Sequence, residues 1–421
     1  MSFLDRLFGY NELANYAIAL DVGTEFVKAL VFKVENGKAT VIGVGRERQA
    51  LKDMQGGAVT DISGVINNCS KALDAACTMA GVNPDKVIMG IAGELVKGNT
   101  TSIVYERKNA AKKIDAKELK DIMKKVQEKA FGQIHNQISW ETGKDNIDIR
   151  LVNAAIVDVR IDRHSVSNPV GFTGKTIRVG VYNAFAPMIY LGALETVADN
   201  IGLNLIGIAA EPYAVAKSTG TAAGHDFSAI FIDVGGGTSD IAVVRAGGLE
   251  GTKVFAIGGR AFTKRIAREF GIPFEKAEEL KIAYSHGKLT EMDEERKEEK
   301  IAKIMEDDIK IWMAGVTMIL KEYGDMELLP SKILLCGGGS LLPEVKHALE
   351  GSDWWADLAF SKKPKVEFMR PKDLDNVIDQ TGKLKDPSDI TAMALANLAI
   401  DMMTTGGGEM NEMLKKAGDK K

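Results

Sequence analysis

The chain has 421 residues, 45% of them hydrophobic, and this length predicts two to four domains. Its 54 basic and 58 acidic residues give a net charge of -4. A dedicated nucleic-acid-binding protein usually has an excess of basic residues, so this charge balance argues against that class. Three cysteines without a CxxC pair exclude a disulfide framework and a zinc ribbon. The first residues lack the pattern of a signal peptide, so we expect a cytoplasmic protein.

Strand and helix patterns alternate along the chain. In the first half, strands are predicted at 16–20, 26–34, 87–91, 100–106, 148–160 and 177–181, and helices at 61–80, 115–131 and 188–201. The second half has predicted strands at 230–232, 241–244 and 332–335, a helix-rich stretch over 262–323, and helices at 343–349 and 389–403. The spacing of apolar residues over 61–80 places Cys69 and Cys77 on the buried face of a helix, which indicates core packing rather than redox chemistry.

An internal repeat is the most informative pattern. The strand at 16–20, the turn Asp21-Val-Gly-Thr24 and the strand after it correspond to the strand at 230–232, the turn Asp233-Val-Gly-Gly-Gly-Thr238 and the strand that follows. Each copy is a hairpin, unlike the strand-to-helix turns of Walker A and Rossmann motifs. A third glycine cluster, Gly337–Ser340, also follows an apolar strand. The alternative is that the three clusters are unrelated tight turns. The repetition of the same strand, turn and strand pattern favours one shared site instead.

The residues of the two hairpins suit a nucleotide phosphate chain. Glycine lacks a Cβ atom, so backbone N–H groups can approach phosphate oxygens, and Thr24 and Thr238 add hydroxyl donors. Asp21 and Asp233 each end a strand and are predicted to hold Mg²⁺ through its water shell. Lys28, on the outgoing strand of the first hairpin, is predicted to place its ammonium group against the phosphates.

At these residues the chain resembles the ATPase superfamily of actin, heat-shock chaperones and sugar kinases. The two turns are similar to its phosphate motifs, and Ile333–Ser340 is similar to its adenosine motif. Within the superfamily the chain resembles the bacterial cell-division family FtsA, because Asn168–Gly174 is similar to that family's NPxGxxG signature. The resemblance implies an α/β, actin-like two-lobed ATPase fold of duplicated mixed-sheet domains, with an inserted α+β subdomain in lobe I.

The resemblance also implies a set of site residues around ATP and Mg²⁺. Glu211 and Asp233 are the implied catalytic residues, with Glu211 orienting the attacking water, and Asp21 and Asp233 are the metal-binding residues. The nucleotide-binding residues are Asp21, Gly23, Thr24, Lys28, Gly235, Gly236, Gly237, Thr238, Gly258, Gly259, Glu278, Lys281, Gly337, Gly338, Gly339 and Ser340. Hydrolysis of ATP is expected to be slow at most, and whether the chain acts as an enzyme stays open.

The function implied by the resemblance is that of an FtsA-type adaptor. Such a protein polymerises with itself on the inner face of the cytoplasmic membrane and connects the division machinery, with FtsZ as the expected partner, to that membrane. Two alternatives stay open. One is a PilM-like cytoplasmic assembly platform of a type IV pilus or secretion system, and the other is a metabolic kinase of the same superfamily. A nucleic-acid partner is not expected.

Six segments are predicted along the chain: an N-terminal amphipathic segment (1–15), the first part of lobe I (16–85), the inserted subdomain (86–176), the second part of lobe I (177–211), lobe II (212–403), and a linker and tail (404–421). In the first segment, Phe3, Leu4, Leu7 and Phe8 form an apolar stripe if the segment is helical. The stripe indicates either a contact with a membrane or partner or an arm packed on its own domain.

Overall fold

The computed structural model describes residues 13–220, 227–289, 294–324, 327–351 and 353–404. The predicted apolar stripe of Phe3, Leu4, Leu7 and Phe8 lies outside the described residues, as does the tail beyond residue 404. Among the described helices, none combines the length and the apolar character that crossing a membrane requires.

The predicted strands and helices are all present among the described elements, together with further strands that were not predicted. The strands are β1 (Tyr16–Val22), β2 (Phe26–Glu35), β3 (Lys38–Arg48), β4 (Met54–Gln55), β5 (Ala58–Val59), β6 (Lys86–Ile91), β7 (Lys97–Glu106), β8 (Ile149–Ile161), β9 (His164–Ser165), β10 (Thr176–Pro187), β11 (Asn204–Ala210), β12 (Ala229–Val234), β13 (Ser239–Arg245), β14 (Gly248–Phe255), β15 (Lys332–Cys336), β16 (Lys365–Phe368) and β17 (Val377–Asp379). The α-helices are α1 (Ile62–Ala80), α2 (Ala116–Thr142), α3 (Met188–Asn200), α4 (Glu211–Gly220), α5 (Gly259–Phe270), α6 (Phe274–Ser285), α7 (Glu294–Gly324), α8 (Pro343–Glu350) and α9 (Ile390–Met403).

The first sheet has the strand order β11-β6-β1-β2-β3-β17. β1 pairs antiparallel with β2 and parallel with β6. Helix α1 lies directly against β3, where a Cβ atom on Gly45 would stand 1.8 Å from the Ala72 carbonyl oxygen. Its first turn is capped by the Asp61 carboxylate, which accepts from the Gly64 N–H. Cys69 and Cys77 are buried in this layer, as their helical spacing predicts.

The second sheet has the order β16-β15-β12-β13-β14-β7-β10-β8-β9. β12 pairs antiparallel with β13 and parallel with β15, which repeats the arrangement of β1, β2 and β6. We call the first sheet, α1 and the segment 49–61 that connects β3 to α1 the first lobe, and β12–β16 with α5–α8 the second lobe. Helices α4 and α9 pack against each other, α9 against β1 and α4 against β13, so they join the two lobes.

Two hydrophobic cores lie on opposite faces of strand β12 in the second sheet. Along β12, Ala229 and Phe231 belong to the core shared with the first lobe, whereas Ile230 and Ile232 belong to the core under α5 and α7. This alternation is the period of two expected of a strand that is covered on both faces. Strand β1 of the first hairpin is likewise buried on both faces, since residues 17–20 are all fully buried, so each repeated hairpin begins with a strand covered on both sides.

Helix α2 is longer than its pattern predicts. The prediction ends it at Phe131, before Gly132, but the helix continues to Thr142 because Ile134 and Ile138 keep its apolar face buried. Several strands are not predicted at all, among them β3, β11, β14, β16 and β17. Of these, β11 forms as a parallel partner of β6. The segment boundaries drawn from the sequence stay predictions, although β6, the first strand of the segment 86–176, lies inside the first sheet between β11 and β1.

Candidate functional site

The turns of the two repeated hairpins touch each other. A Cβ atom on Gly237 would stand 2.6 Å from Thr24 Oγ1, and one on Gly236 would stand 2.8 Å from the Cβ of Glu25. Any larger residue at these two positions would push the turns apart. The structure thus brings the predicted first and second phosphate turns into contact, at the place where the two lobes meet.

Four buried carboxylates gather behind these turns. Asp21, Asp233 and Asp240 are between 4% and 8% exposed, and Glu211, the first residue of α4, is 9% exposed. Burial, followed by the charges of Asp21, Asp240 and Asp233, holds the pKa of Glu211 well above its ordinary value. Burial and the neighbouring Asp233 raise the pKa of Asp240 well above its usual range. Burial and mutual repulsion therefore both favour the protonated forms of Glu211 and Asp240.

Glu211 reaches this cluster by passing over β6. A Cβ atom on Gly90 would stand 2.7 Å from Glu211 Oε1, so the carboxylate lies against the glycine backbone. This glycine, between the apolar residues of β6, leaves room for the side chain that arrives from the start of α4. The predicted catalytic Glu211 is thus placed beside Asp21 and Asp233 rather than on the molecular surface.

Lys28 supplies positive charge at the cluster. It lies opposite Asp21 in the β1–β2 ladder, and its Nζ is 3.4 Å from Asp21 Oδ2. The same Nζ donates to the carbonyl oxygen of Ser388, just before α9. The first hairpin is therefore linked both to its own aspartate and to the segment that leads into the last described helix.

The start of α9 holds the second aspartate. Thr391 Oγ1 donates to Asp233 Oδ2 at 2.5 Å, and this hydrogen bond opposes the effect of burial, which raises the pKa of Asp233. Burial and the adjacent Asp233 raise the pKa of the Cys336 thiol well above its ordinary value, so that thiol stays protonated. Sequence reasoning missed Thr391 because it lies 158 positions from its partner.

Asp240 is the second residue that sequence reasoning missed. It lies opposite Asp233 in the β12–β13 ladder, in the place that Lys28 takes opposite Asp21. One of its carboxylate oxygens, Oδ1, is buried and has no hydrogen-bond partner. Superposing the two hairpins of the repeat would have singled out this position, because a lysine in one copy is replaced by an aspartate in the other.

The predicted Gly258–Gly259 turn supports the second hairpin from the side of α5. The Gly259 N–H donates to the Gly235 carbonyl at 2.8 Å, and the next N–H, of Arg260, donates to the Gly236 carbonyl at 2.7 Å. A Cβ atom on Gly258 would stand 2.6 Å from the Gly235 carbonyl oxygen. These contacts fix the carbonyl groups of the turn toward α5 and so define the direction of the turn.

Glu278 and Lys281 lie next to this turn, on α6. Lys281 Nζ is 2.8 Å from the Glu278 carboxylate, and it donates to the Gly259 carbonyl at 3.0 Å and to Thr263 Oγ1 at 2.8 Å. Glu278 and Lys281 are both buried. The structure therefore places this predicted nucleoside-binding pair beside the second hairpin, held in one buried network.

The third glycine cluster closes the same region. Gly337 has φ +82°, and a Cβ atom there would stand 2.1 Å from Asp233 Oδ1. Gly339 packs against Val234, and Ser340 Oγ donates to the Gly337 carbonyl at 2.7 Å. For Gly338, the nearest atom to an added Cβ is Ser388 Cβ at 3.8 Å. All the predicted binding and catalytic residues are thus collected around the two hairpin turns.

The carboxylate cluster has the chemistry to hold a cation through water ligands. Within the described ranges, no three histidine, cysteine or acidic side chains form a group that would hold a metal ion by itself. Mg²⁺ keeps several of its water ligands in proteins and is bound through few carboxylates together with phosphate oxygens. The buried aspartates, with one unpartnered oxygen on Asp240, fit a hydrated cation of that kind.

Comparison with known proteins gives the relationship of the chain. The family model described as "Cell division protein FtsA" matches residues 230–394, from β12 into α9. The cell division protein FtsA of Pseudomonas aeruginosa is 27% identical over 341 residues, which are 77% of each chain. That of Bacillus subtilis is 24% identical over 344 residues, covering 78% of this chain and 74% of the relative. The chain is thus similar to the cell division protein FtsA of both bacteria over about three quarters of its length.

The FtsA resemblance expected from the hairpins and glycine clusters is confirmed by these relatives. Among solved structures, the chain is similar to one of the "PilM-PilN type IV pilus biogenesis complex", with a TM-score of 0.62 and 16% identity over 91% of this chain and 98% of that one. This likeness concerns the fold, and it confirms the predicted actin-like two-lobed α/β architecture.

Proposed function

We propose that this chain binds ATP with Mg²⁺ at the contact between its two hairpin turns. The observation that carries the proposal is the convergence of two glycine-containing turns on a cluster of buried carboxylates, three of which have raised pKa values. Such a cluster is stabilised by a divalent cation, which would offset the mutual repulsion of the carboxylates. Backbone N–H groups of the glycine turns supply the donors that phosphate oxygens require.

Each side chain then has a role in holding the nucleotide. Asp21 and Asp233 would contact the water shell of Mg²⁺, which when bound supplies positive charge between carboxylates and phosphates. Thr24, Thr238 and Lys28 would donate to phosphate oxygens. Glu211 would accept a hydrogen bond from the water nearest the terminal phosphate. Because its pKa is raised, Glu211 is a poor candidate for a permanently ionised base, which supports slow hydrolysis.

At the level of the cell, we propose an FtsA-type adaptor that forms filaments on the inner face of the membrane and binds FtsZ. The support is sequence similarity to FtsA from two bacteria together with the shared fold. Electron microscopy of the purified chain with MgATP and anionic vesicles tests this directly. Filaments on the vesicles are expected, and failure both to bind nucleotide and to assemble would contradict the adaptor role.

The membrane contact is assigned to the first residues by the same proposal. Deleting residues 1–10 should abolish vesicle binding while leaving nucleotide binding intact, because the stripe of Phe3, Leu4, Leu7 and Phe8 would be lost. Vesicle co-sedimentation of the full and shortened chains measures this. Binding that survives the deletion would contradict the assignment and direct attention to the tail after residue 404.

A PilM-like assembly platform is the second candidate function, favoured by the solved structure to which the fold is similar along nearly its whole length. The two functions differ in their partner. Co-sedimentation with FtsZ polymers is expected for the adaptor, whereas binding to a PilN-type protein without FtsZ binding would favour the platform. The same purified chain is used in both assays, so binding in one assay shows that the chain is functional and makes absence of binding in the other assay meaningful.

A further inference from the structure

One buried carboxylate joins the two lobes beside the hairpin turns. Glu25 follows Thr24 at the β1–β2 turn and is 8% exposed. Its Oε1 accepts from Arg48 Nε at 2.7 Å, within the first lobe. Its Oε2 accepts from Arg260 Nε at 2.7 Å, and Arg260 is the second residue of α5, in the second lobe. A single carboxylate is thus held by one arginine from each lobe.

The guanidinium of Arg260 has further partners in the first lobe. Its Nη1 donates to the carbonyl oxygens of Met54 at 2.8 Å and Leu51 at 3.3 Å, and its Nη2 donates to that of Ala50 at 3.4 Å. The side chain is nearly buried, with Arg260 6% exposed. By contrast Arg268, two turns further along the same helix, pairs with its neighbour Glu269 at the surface. Arg260 therefore uses its planar fork to bind the opposite lobe.

The position of this contact gives it a mechanical consequence. Arg260 N–H donates to the Gly236 carbonyl of the second hairpin, so the arginine is fixed to that turn through its own backbone. Glu25 belongs to the turn of the first hairpin, and its N and Cβ atoms lie against Gly236. An ion pair between Glu25 and Arg260 consequently ties one turn to the other.

We propose that Glu25 and Arg260 form an interlobe latch that holds the two hairpin turns together and sets how far the cleft opens. Removing either partner leaves the other charge buried without this counter-ion, which favours separation of the lobes and entry of water. Loss of both partners removes both charges of the pair, so the double variant should open no further than either single variant. The proposal concerns lobe geometry and holds whether or not the site binds ATP.

Spin labels on the two lobes test the latch. The native cysteines are buried, so labels are attached to Lys38→Cys in the first lobe and Glu275→Cys in the second, both at exposed positions. In the parent chain, pulsed dipolar spectroscopy without nucleotide should give one narrow distance distribution. In Glu25→Gln and Arg260→Gln we expect a second, displaced population above about a tenth of the molecules. Arg268→Gln, on the same helix, is the matched control and should leave the distribution unchanged.

The outcomes separate the latch from general damage to the fold. If Arg260→Gln fails to fold, as judged by circular dichroism, Arg260→Lys replaces it, since it keeps the charge but loses the fork and should also broaden the distribution. Distributions in both single variants that match the parent would overturn the latch. Titrating the parent with MgATP in a separate experiment tests the proposed nucleotide site, so failure of that site leaves the distance measurement of the latch unaffected.

Discussion

A methyl group added at Gly237 tests the contact between the hairpin turns. In Gly237→Ala the new Cβ would stand 2.6 Å from Thr24 Oγ1 and 2.9 Å from its Cγ2. Ordinary carbon contacts lie at ~3.5–4.0 Å, so one turn must move by about 1 Å. The backbone at Gly237 is not left-handed, so the effect is steric and does not arise from backbone strain.

The expected cost follows from overpacking of half-buried Gly237 against buried Thr24, which is about 1–3 kcal/mol. Chemical denaturation of the purified chain measures it as a lower midpoint. The matched control is Gly132→Ala in helix α2, where an added Cβ meets no atom within 4 Å. That variant should gain about 0.5–1 kcal/mol from helix propensity. A Gly237→Ala midpoint equal to or above that of the parent would refute direct contact between the turns.

Two further changes address the carboxylate cluster. Asp240→Asn removes a buried acid with a raised pKa, whose ionisation cost is relieved as the pH falls through that raised pKa. At alkaline pH the variant should therefore have a larger free energy of unfolding than the parent, by about 1.4 kcal/mol for each pKa unit of the shift, and should unfold at a higher temperature. The gain should be smaller in acid, and a gain independent of pH would contradict this reasoning. Thr391→Val removes the hydrogen bond to Asp233 and should lower the free energy of unfolding, measured in denaturant, by about 1–3 kcal/mol. Thr391→Ser keeps the hydroxyl and should retain most of that stability. Equal losses of stability in both variants would show that the hydroxyl is not the cause.

The repeated hairpins could be predicted because their signals are local. Apolar strands covered on both faces read as continuous hydrophobic runs, and the turn chemistry of aspartate and glycine is fixed within a few residues. The same locality explains why Asp21, Asp233 and the three glycine clusters are recognisable in the sequence. Their convergence is an inference from symmetry, and the observed contact between Gly237 and Thr24 agrees with it.

The parts of the site that could not be predicted from the sequence depend on contacts between residues far apart in the chain. Thr391 and Ser388 reach the cluster from the start of α9, and nothing in their neighbourhood distinguishes them from other helix-start residues. Glu25 and Arg260 are separated by 235 positions, so their pairing requires the packed lobes. The predicted end of α2 is wrong for a different reason, because the burial of residues after Gly132 outweighs the low helix propensity of glycine.

Binding of MgATP to the purified full chain is the most direct test of the central claim. Isothermal titration with and without Mg²⁺ should show Mg-dependent binding by the parent. Asp21→Ala combined with Asp233→Ala should weaken it by at least about tenfold, equivalent to ~1.4 kcal/mol. Asp121→Ala, at an exposed position of α2, is the matched control and should bind like the parent. A parent that does not bind MgATP, or a double variant with unchanged affinity, would contradict a nucleotide site between the two hairpins.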